Sequence, residues 1–342
     1  MLPFSFFSRI LMRDRLLHSQ PYKINYGLDI FKLVCAFLIV FMHTYKKDLG
    51  IYGDWFNSVI TPIGVPFFFI VSGYFYSKGL LRNDDKWAYY RRYVIRLIMM
   101  YVAWSIITLP VTWLCIERGH PDYSILMKIV YLFRMIFFVG SCGIYWYILA
   151  LICCSTIMYV CIKRGWIHSL YLLSFLFYLV GVWYNSPYNN GNFILKSIHV
   201  IFSSERNFIN VGLFYMCIGH FFANNIFKAN IKITSVILLI SILLRTLEVN
   251  YLHTNSLQAL IAIALFVFAL NLNVTIKDET SLKVRKLSTA MYLLHFPFIL
   301  LFDFYLRRGT LVDFPVTLLF CFITFFILER FLSKEWNKVL FG

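Results

Sequence analysis

The chain alternates between long apolar runs and short, mostly basic joints. Runs of roughly twenty apolar residues, the length that crosses a bilayer as a helix, fall at 28–46, 58–76, 93–115, 143–162, 168–184, 208–224, 233–249, 255–272, 288–305 and 311–331. The pattern predicts an all-α, polytopic membrane protein of about ten transmembrane helices. A further apolar stretch, 125–140, is interrupted by Lys128 and Arg134 and reads as a re-entrant or interfacial helix. Were it to cross, every later segment would invert.

Composition and charge agree with a membrane protein. The 342 residues are 60% hydrophobic and 14% charged, against about a quarter charged in soluble domains. The net charge of +16 would suggest nucleic acid in a soluble chain, but cytoplasmic loops are enriched in Lys and Arg. With the N-terminus inside, 20 Lys and Arg fall on the cytoplasmic side and nine outside. That bias favours both termini cytoplasmic and no nucleic-acid partner. The organisation expected is a basic interfacial segment at 1–27, one membrane domain at 28–332 and a cytoplasmic tail at 333–342. The longest outer loop, 185–207, is rich in Asn, Gly and Ser and long enough to shape a binding mouth.

Most cysteines lie inside apolar runs and read as small buried hydrophobes; Cys115 and Cys142 are the pair placed to meet outside the membrane. No metal-type His/Cys spacing, Gly-rich phosphate loop or Gly-x-Ser-x-Gly elbow occurs, which disfavours ATP hydrolysis and serine-hydrolase chemistry. No permanently bound cofactor and no metal are expected.

Chemistry is most concentrated in KLVCAFLIVFMH, residues 32–43. On a helix, Lys32 and His43 share one face about 16 Å apart along the axis. An ionisable group at that depth is costly unless it meets a cavity or partner. A cation at the inner end and an imidazole at the outer end suit a long donor with an anionic head and a reactive tip, such as acyl-coenzyme A. Neutral imidazole can act as a general base on a hydroxyl or carry the acyl group itself. A snorkelling lysine and a structurally satisfied histidine are the plainer explanation of the same spacing.

Other candidates follow from position. Arg91, Arg92 and Arg96 begin the third span and could hold coenzyme A phosphates, as could ordinary cytoplasmic charge. Ser72, in Ser72-Gly73-Tyr74, offers a small face that admits a pantetheine arm or packs a helix. Trp146 and Tyr147 start the fourth span, where an aromatic belt belongs. Arg206 and Asn207 open the sixth span. His295 lies about 10 Å into the ninth span if that helix begins near residue 288, a depth suited to a coenzyme A or structural contact. Asp29, one turn before Lys32, is placed to pair with it and set its rotamer. Arg245 and Glu248 form a second local pair.

GLDIFKLVCAFLIVFMHT (27–44) resembles the first span of the acyltransferase-3 family of membrane acyltransferases. PIGVPFFFIVSGYFYSK, RRYVIRLIMMYVAWS, GIYWYILALI, SERNFINVGLFYMCIGHFF and LSTAMYLLHFPFI resemble later segments of that family in the same order, so the likeness covers about residues 25–331. It implies a bacterial inner-membrane enzyme that moves an acyl group, commonly acetyl, from cytoplasmic acetyl-CoA to an outer acceptor, often a sugar hydroxyl of a surface polysaccharide or its lipid-linked precursor. It further implies that His43 is catalytic, that Lys32 stands where the family has Arg, and that Arg206, Asn207 and Trp146 orient acceptor or transition state. Arg92 and Arg96 are four apart where the family often has two Arg three apart. Two rivals remain from other classes: a transporter or flippase for a lipid-linked sugar, which would favour inverted repeats, and a sensor that binds acyl-CoA without turnover.

Overall fold

The computed structural model describes residues 25–184, 186–187, 207–225, 227–305 and 309–341. Among them are fourteen α-helices and no strand. In chain order they are α1 (Tyr26–Thr44), α2 (Gly50–Trp55), α3 (Gly64–Arg82), α4 (Lys86–Ile107), α5 (Leu109–Gly119), α6 (Ile125–Arg134) and α7 (Trp146–Arg164). Then come α8 (Ile167–Tyr184), α9 (Leu213–Asn224), α10 (Ile231–Leu247), α11 (Gln258–Leu270), α12 (Asp278–Tyr305), α13 (Thr310–Phe331) and α14 (Lys334–Phe341). The N-terminal segment to residue 24 and nearly all of the loop at 185–207 lie outside the described residues.

Among the described residues, six helices are long and apolar enough to cross a membrane, and a seventh if α4 and α5 form one broken span. This is a multi-pass membrane protein. The apolar faces of α8 (Leu172, Leu173, Leu176) and α10 (Leu239, Ile240, Leu243) point outward, as a lipid-facing surface requires. The third expected span, 93–115, is not straight: α4 and α5 meet at 61°. Pro110, in the first turn of α5, cannot supply the amide that would continue α4. Two further expected spans are short, at Phe208–Asn224 and Gln258–Leu270. Residues 125–140 give the short helix α6 and a wide turn, Met135–Val139, with Lys128 paired to Glu117 at 2.6 Å. Cys115 and Cys142 are free thiols. The expected tail is α14, whose Leu340 and Phe341 are buried; Trp104 Nε1 donates to the Leu340 carbonyl at 3.0 Å.

Helix α1 is the central element. Asn25 caps it, accepting from Leu28 N at 2.9 Å and donating to the Leu270 carbonyl at 3.1 Å, which pins its start to the end of α11. Helix α12 runs alongside in parallel: Arg285 meets Asp29, His295 meets His43, and Asp303 meets Lys46. A parallel run requires an odd number of crossings between the two helices, and the ten-span reading has seven. Helices α3 and α9 approach closely because Gly73 faces Met216 and Gly219 faces Ile70; a Cβ at either glycine would collide with backbone.

Among the described residues, four wide turns, each closing one residue later than an α-turn, occur at Phe56–Ile60, Met135–Val139, Phe208–Gly212 and Glu248–Leu252. Such turns are rare in helices and often sit at functional sites. Two of them, Met135–Val139 and Phe208–Gly212, line the cavity described next.

Candidate active site

His43 occupies the last turn of α1 and opens on a cavity of about 660 Å³. Trp146, Asn207 and Tyr292 share its wall. Asn207 has a local task as well, since its side chain accepts from the amides of Ile209 and Asn210 and caps the wide turn before α9. Arg206 lies outside the described residues.

His295 is fully buried and stands beside His43, with ring centroids 5.3 Å apart. Its expected position near the cytoplasmic end is corrected: α12 begins at Asp278, not near 288, so His295 lies about 25 Å along the helix. Counting only apolar residues hides the charged first turns of such a helix. The Met291 carbonyl lies 2.9 Å from His295 Nδ1. A carbonyl only accepts, so Nδ1 carries the proton and Nε2 the lone pair. Nε2 is buried without a hydrogen-bond partner.

Pro297 explains how this part of α12 is held. It has no N–H, so the Leu293 carbonyl loses its helical donor. The Tyr145 hydroxyl replaces it at 2.9 Å, and the Tyr292 hydroxyl returns a bond to the Ile144 carbonyl. The start of α7 is thereby stitched to α12 next to both histidines. In apolar surroundings each freed backbone group needs such a replacement.

The cations gather towards the start of α1. Lys32 is half-buried there, and Arg285 and Arg96 lie near enough to act electrostatically on its ammonium. Arg96 is exposed, with its guanidinium 5.7 Å from the Tyr93 ring centre, while Arg92 is half-buried one turn earlier on α4. None of the three candidate cations Lys32, Arg92 and Arg96 lines the cavity. Ser72 does not line it either; its hydroxyl is 2.9 Å from the Tyr147 hydroxyl. Asp29 also acts favourably on the Lys32 ammonium, as its place one turn earlier suggests, but its hydrogen bonds go elsewhere. Asp29 is fully buried and accepts from Arg285 at 2.9 and 3.1 Å and from Ser281 at 2.7 Å. A planar guanidinium binds a carboxylate with two bonds, which an ammonium cannot match.

Sequence reasoning passed over Arg285, counted only as cytoplasmic charge, and the cavity residues Tyr178, Asn210, Asn255 and Gln258. A signal for Gln258 existed in Pro62 and Pro66, four apart, which free a carbonyl that some side chain must satisfy. Arg245 and Glu248 do pair, at 2.6 Å and almost wholly buried.

His43 thus faces the cavity, while Lys32 on the same helix lies near Arg96 and Arg285 of neighbouring helices. Residues 25–330 match the acyltransferase-3 family, described as "Acyltransferase domain". The chain belongs to that family. Two proteins of Enterococcus faecalis, each named "Amino-acid racemase", are also similar. One is 25% identical over 294 residues, 79% of this chain and 40% of its own length. The other is 25% identical over 174 residues, 50% of this chain and 23% of its own. The chain thus spans well under half the length of these relatives. No solved structure matches.

Proposed function

We propose that the protein is an O-acyltransferase of a bacterial cytoplasmic membrane, moving an acetyl group from acetyl-CoA to a hydroxyl of an extracytoplasmic glycan or lipid-linked sugar. The observation that carries this reading is His43 on the wall of a cavity of about 660 Å³, within the size range of small-molecule sites, in a chain of the acyltransferase-3 family.

The cation cluster of Lys32 and Arg96, with Arg92 nearby, takes the phosphates of coenzyme A at the cytoplasmic side. The pantetheine arm follows α1 towards His43, about 16 Å away. The acceptor hydroxyl oxygen attacks the thioester carbonyl while the His43 imidazole takes the hydroxyl proton. The new C–O bond forms, the C–S bond breaks, and the imidazolium returns its proton to the departing thiolate. Transfer through an acyl-imidazole would instead give ping-pong kinetics.

Membranes containing the protein, supplied with acetyl-labelled coenzyme A, test the reading. Label is expected in the lipid-linked or polymeric glycan fraction. Turnover of the donor with no label in any glycan fraction would contradict it.

A further inference from the structure

Two amides on the cavity wall are fixed in orientation by what they touch. Pro66 follows Pro62 by four residues and has no N–H, so the Pro62 carbonyl lacks its helical donor. Gln258 Nε2 supplies one at 2.5 Å. A carbonyl only accepts, so Gln258 is held one way round and its Oε1 is the atom left for a ligand. Asn255 is fixed by the opposite logic. Its Oδ1 accepts from Arg245 at 2.6 Å, and a guanidinium only donates. The Asn255 Nδ2 donors are therefore left over.

The support behind this pair is unusually elaborate for a loop. Arg245 also donates to Glu248 and to the Thr254 carbonyl, both at 2.6 Å. Glu248 in turn accepts from Thr254 Oγ1 at 2.7 Å, Ser256 N at 2.6 Å and Leu257 N at 3.0 Å. Residues 254–257 are thus wound around a buried carboxylate. Apolar residues usually hold a fold at least as well as a buried ion pair, so stability alone does not account for this one. Among the described residues, the cavity wall carries no Asp, Glu, Lys or Arg, while Trp146 and Tyr178 add aromatic faces. A fixed donor and a fixed acceptor match a hydroxyl, which is both, and the described wall around them brings no acidic or basic side chain beyond His43.

We propose that Asn255 and Gln258 form an acceptor subsite for an uncharged, polyhydroxylated ring, with Arg245 and Glu248 as the positioning pair behind it. The proposal rests on the acyl-transfer reading above and narrows it: the subsite selects neutral over anionic sugars.

The test uses the purified full chain in lipid nanodiscs with labelled acetyl-CoA. Methyl N-acetyl-β-glucosaminide serves as the neutral probe and methyl β-glucuronide as the anionic one. The wild type transfers label to the neutral glycoside in preference. Asn255→Asp keeps the oxygen facing Arg245 but turns the donor into a carboxylate oxygen; it raises the KM for the neutral probe at least tenfold. Gln258→Met removes the acceptor and raises the same KM. Neither variant changes the KM for acetyl-CoA or its acceptor-free hydrolysis, which also reports that the variant is folded. An unchanged KM in Asn255→Asp, a preference for the glucuronide, or hydrolysis of acetyl-CoA with transfer to neither probe would each overturn the subsite and leave the acyl-transfer reading standing. No consumption of acetyl-CoA by the wild type would remove that reading, and the subsite with it.

Discussion

The imidazole rings of His43 and His295 are centred 5.3 Å apart and tilted by 38°. One faces the cavity and the other is sealed behind it, with Nδ1 committed to the Met291 carbonyl. In the proposed mechanism His43 takes a proton from the acceptor, and the lone pair on His295 Nε2 is then an adjacent group able to receive a hydrogen bond from the new imidazolium. His295→Phe keeps the ring and loses the lone pair. The expected result is a kcat lower by roughly tenfold, the worth of one hydrogen bond, at unchanged KM for acetyl-CoA. A rise in that KM alone would restore His295 to donor binding.

Tyr145 donates to a carbonyl that Pro297 leaves without a helical partner. Tyr145→Phe should destabilise the protein by about 1–3 kcal/mol, the cost of an unsatisfied buried carbonyl. The Tyr145→Phe, Pro297→Ala double variant restores the helical donor and should recover most of that loss. Thermal unfolding in detergent measures both.

Removing one member of the Arg245–Glu248 pair strands a charge inside the protein. Arg245→Met is expected to cost about 3–5 kcal/mol, and Arg245→Met combined with Glu248→Leu clearly less. Equal losses from the single and double variants would show that the pair does not act as a unit.

Asp48, in the turn after α1, gives a pH dependence. Hydrogen bonds from the Thr310 side chain and amide, the latter at 2.7 Å, hold its carboxyl below the usual range, aided by Lys46 and against the desolvation there. A depressed carboxyl stabilises the fold above its unfolded value of about 3.9, and that contribution is lost as pH falls through the folded value. The melting temperature should therefore fall more steeply below about pH 4 in the wild type than in Asp48→Asn, where the group no longer titrates.

What could be read from the sequence was whatever a single helix expresses by itself. Lys32 and His43 lie three turns apart on one helix, α1, because their spacing dictates it, and nearly every apolar run marked a helix. Relations between helices were not legible in that way. Asp29 has two cations within reach, and only the parallel packing of α12 reveals that Arg285 takes it. Helix α12 was read ten residues short because its first turns are charged and project beyond the apolar run, which hid the meeting of His295 with His43. Asn255 fell at the edge of an apparent span, although residues 254–257 form a loop held by Glu248. The prolines were a partial exception, since each announces a carbonyl in need of a donor without saying which side chain supplies it.

The central claim is that His43 performs the transfer, and the most direct measurement compares wild type with His43→Ala in the same membranes at equal expression. Acetyl-labelled coenzyme A is supplied, and label is followed into the lipid-linked and polymeric glycan. The account predicts label with the wild type and none above background with His43→Ala. Equal labelling by the two proteins would contradict it.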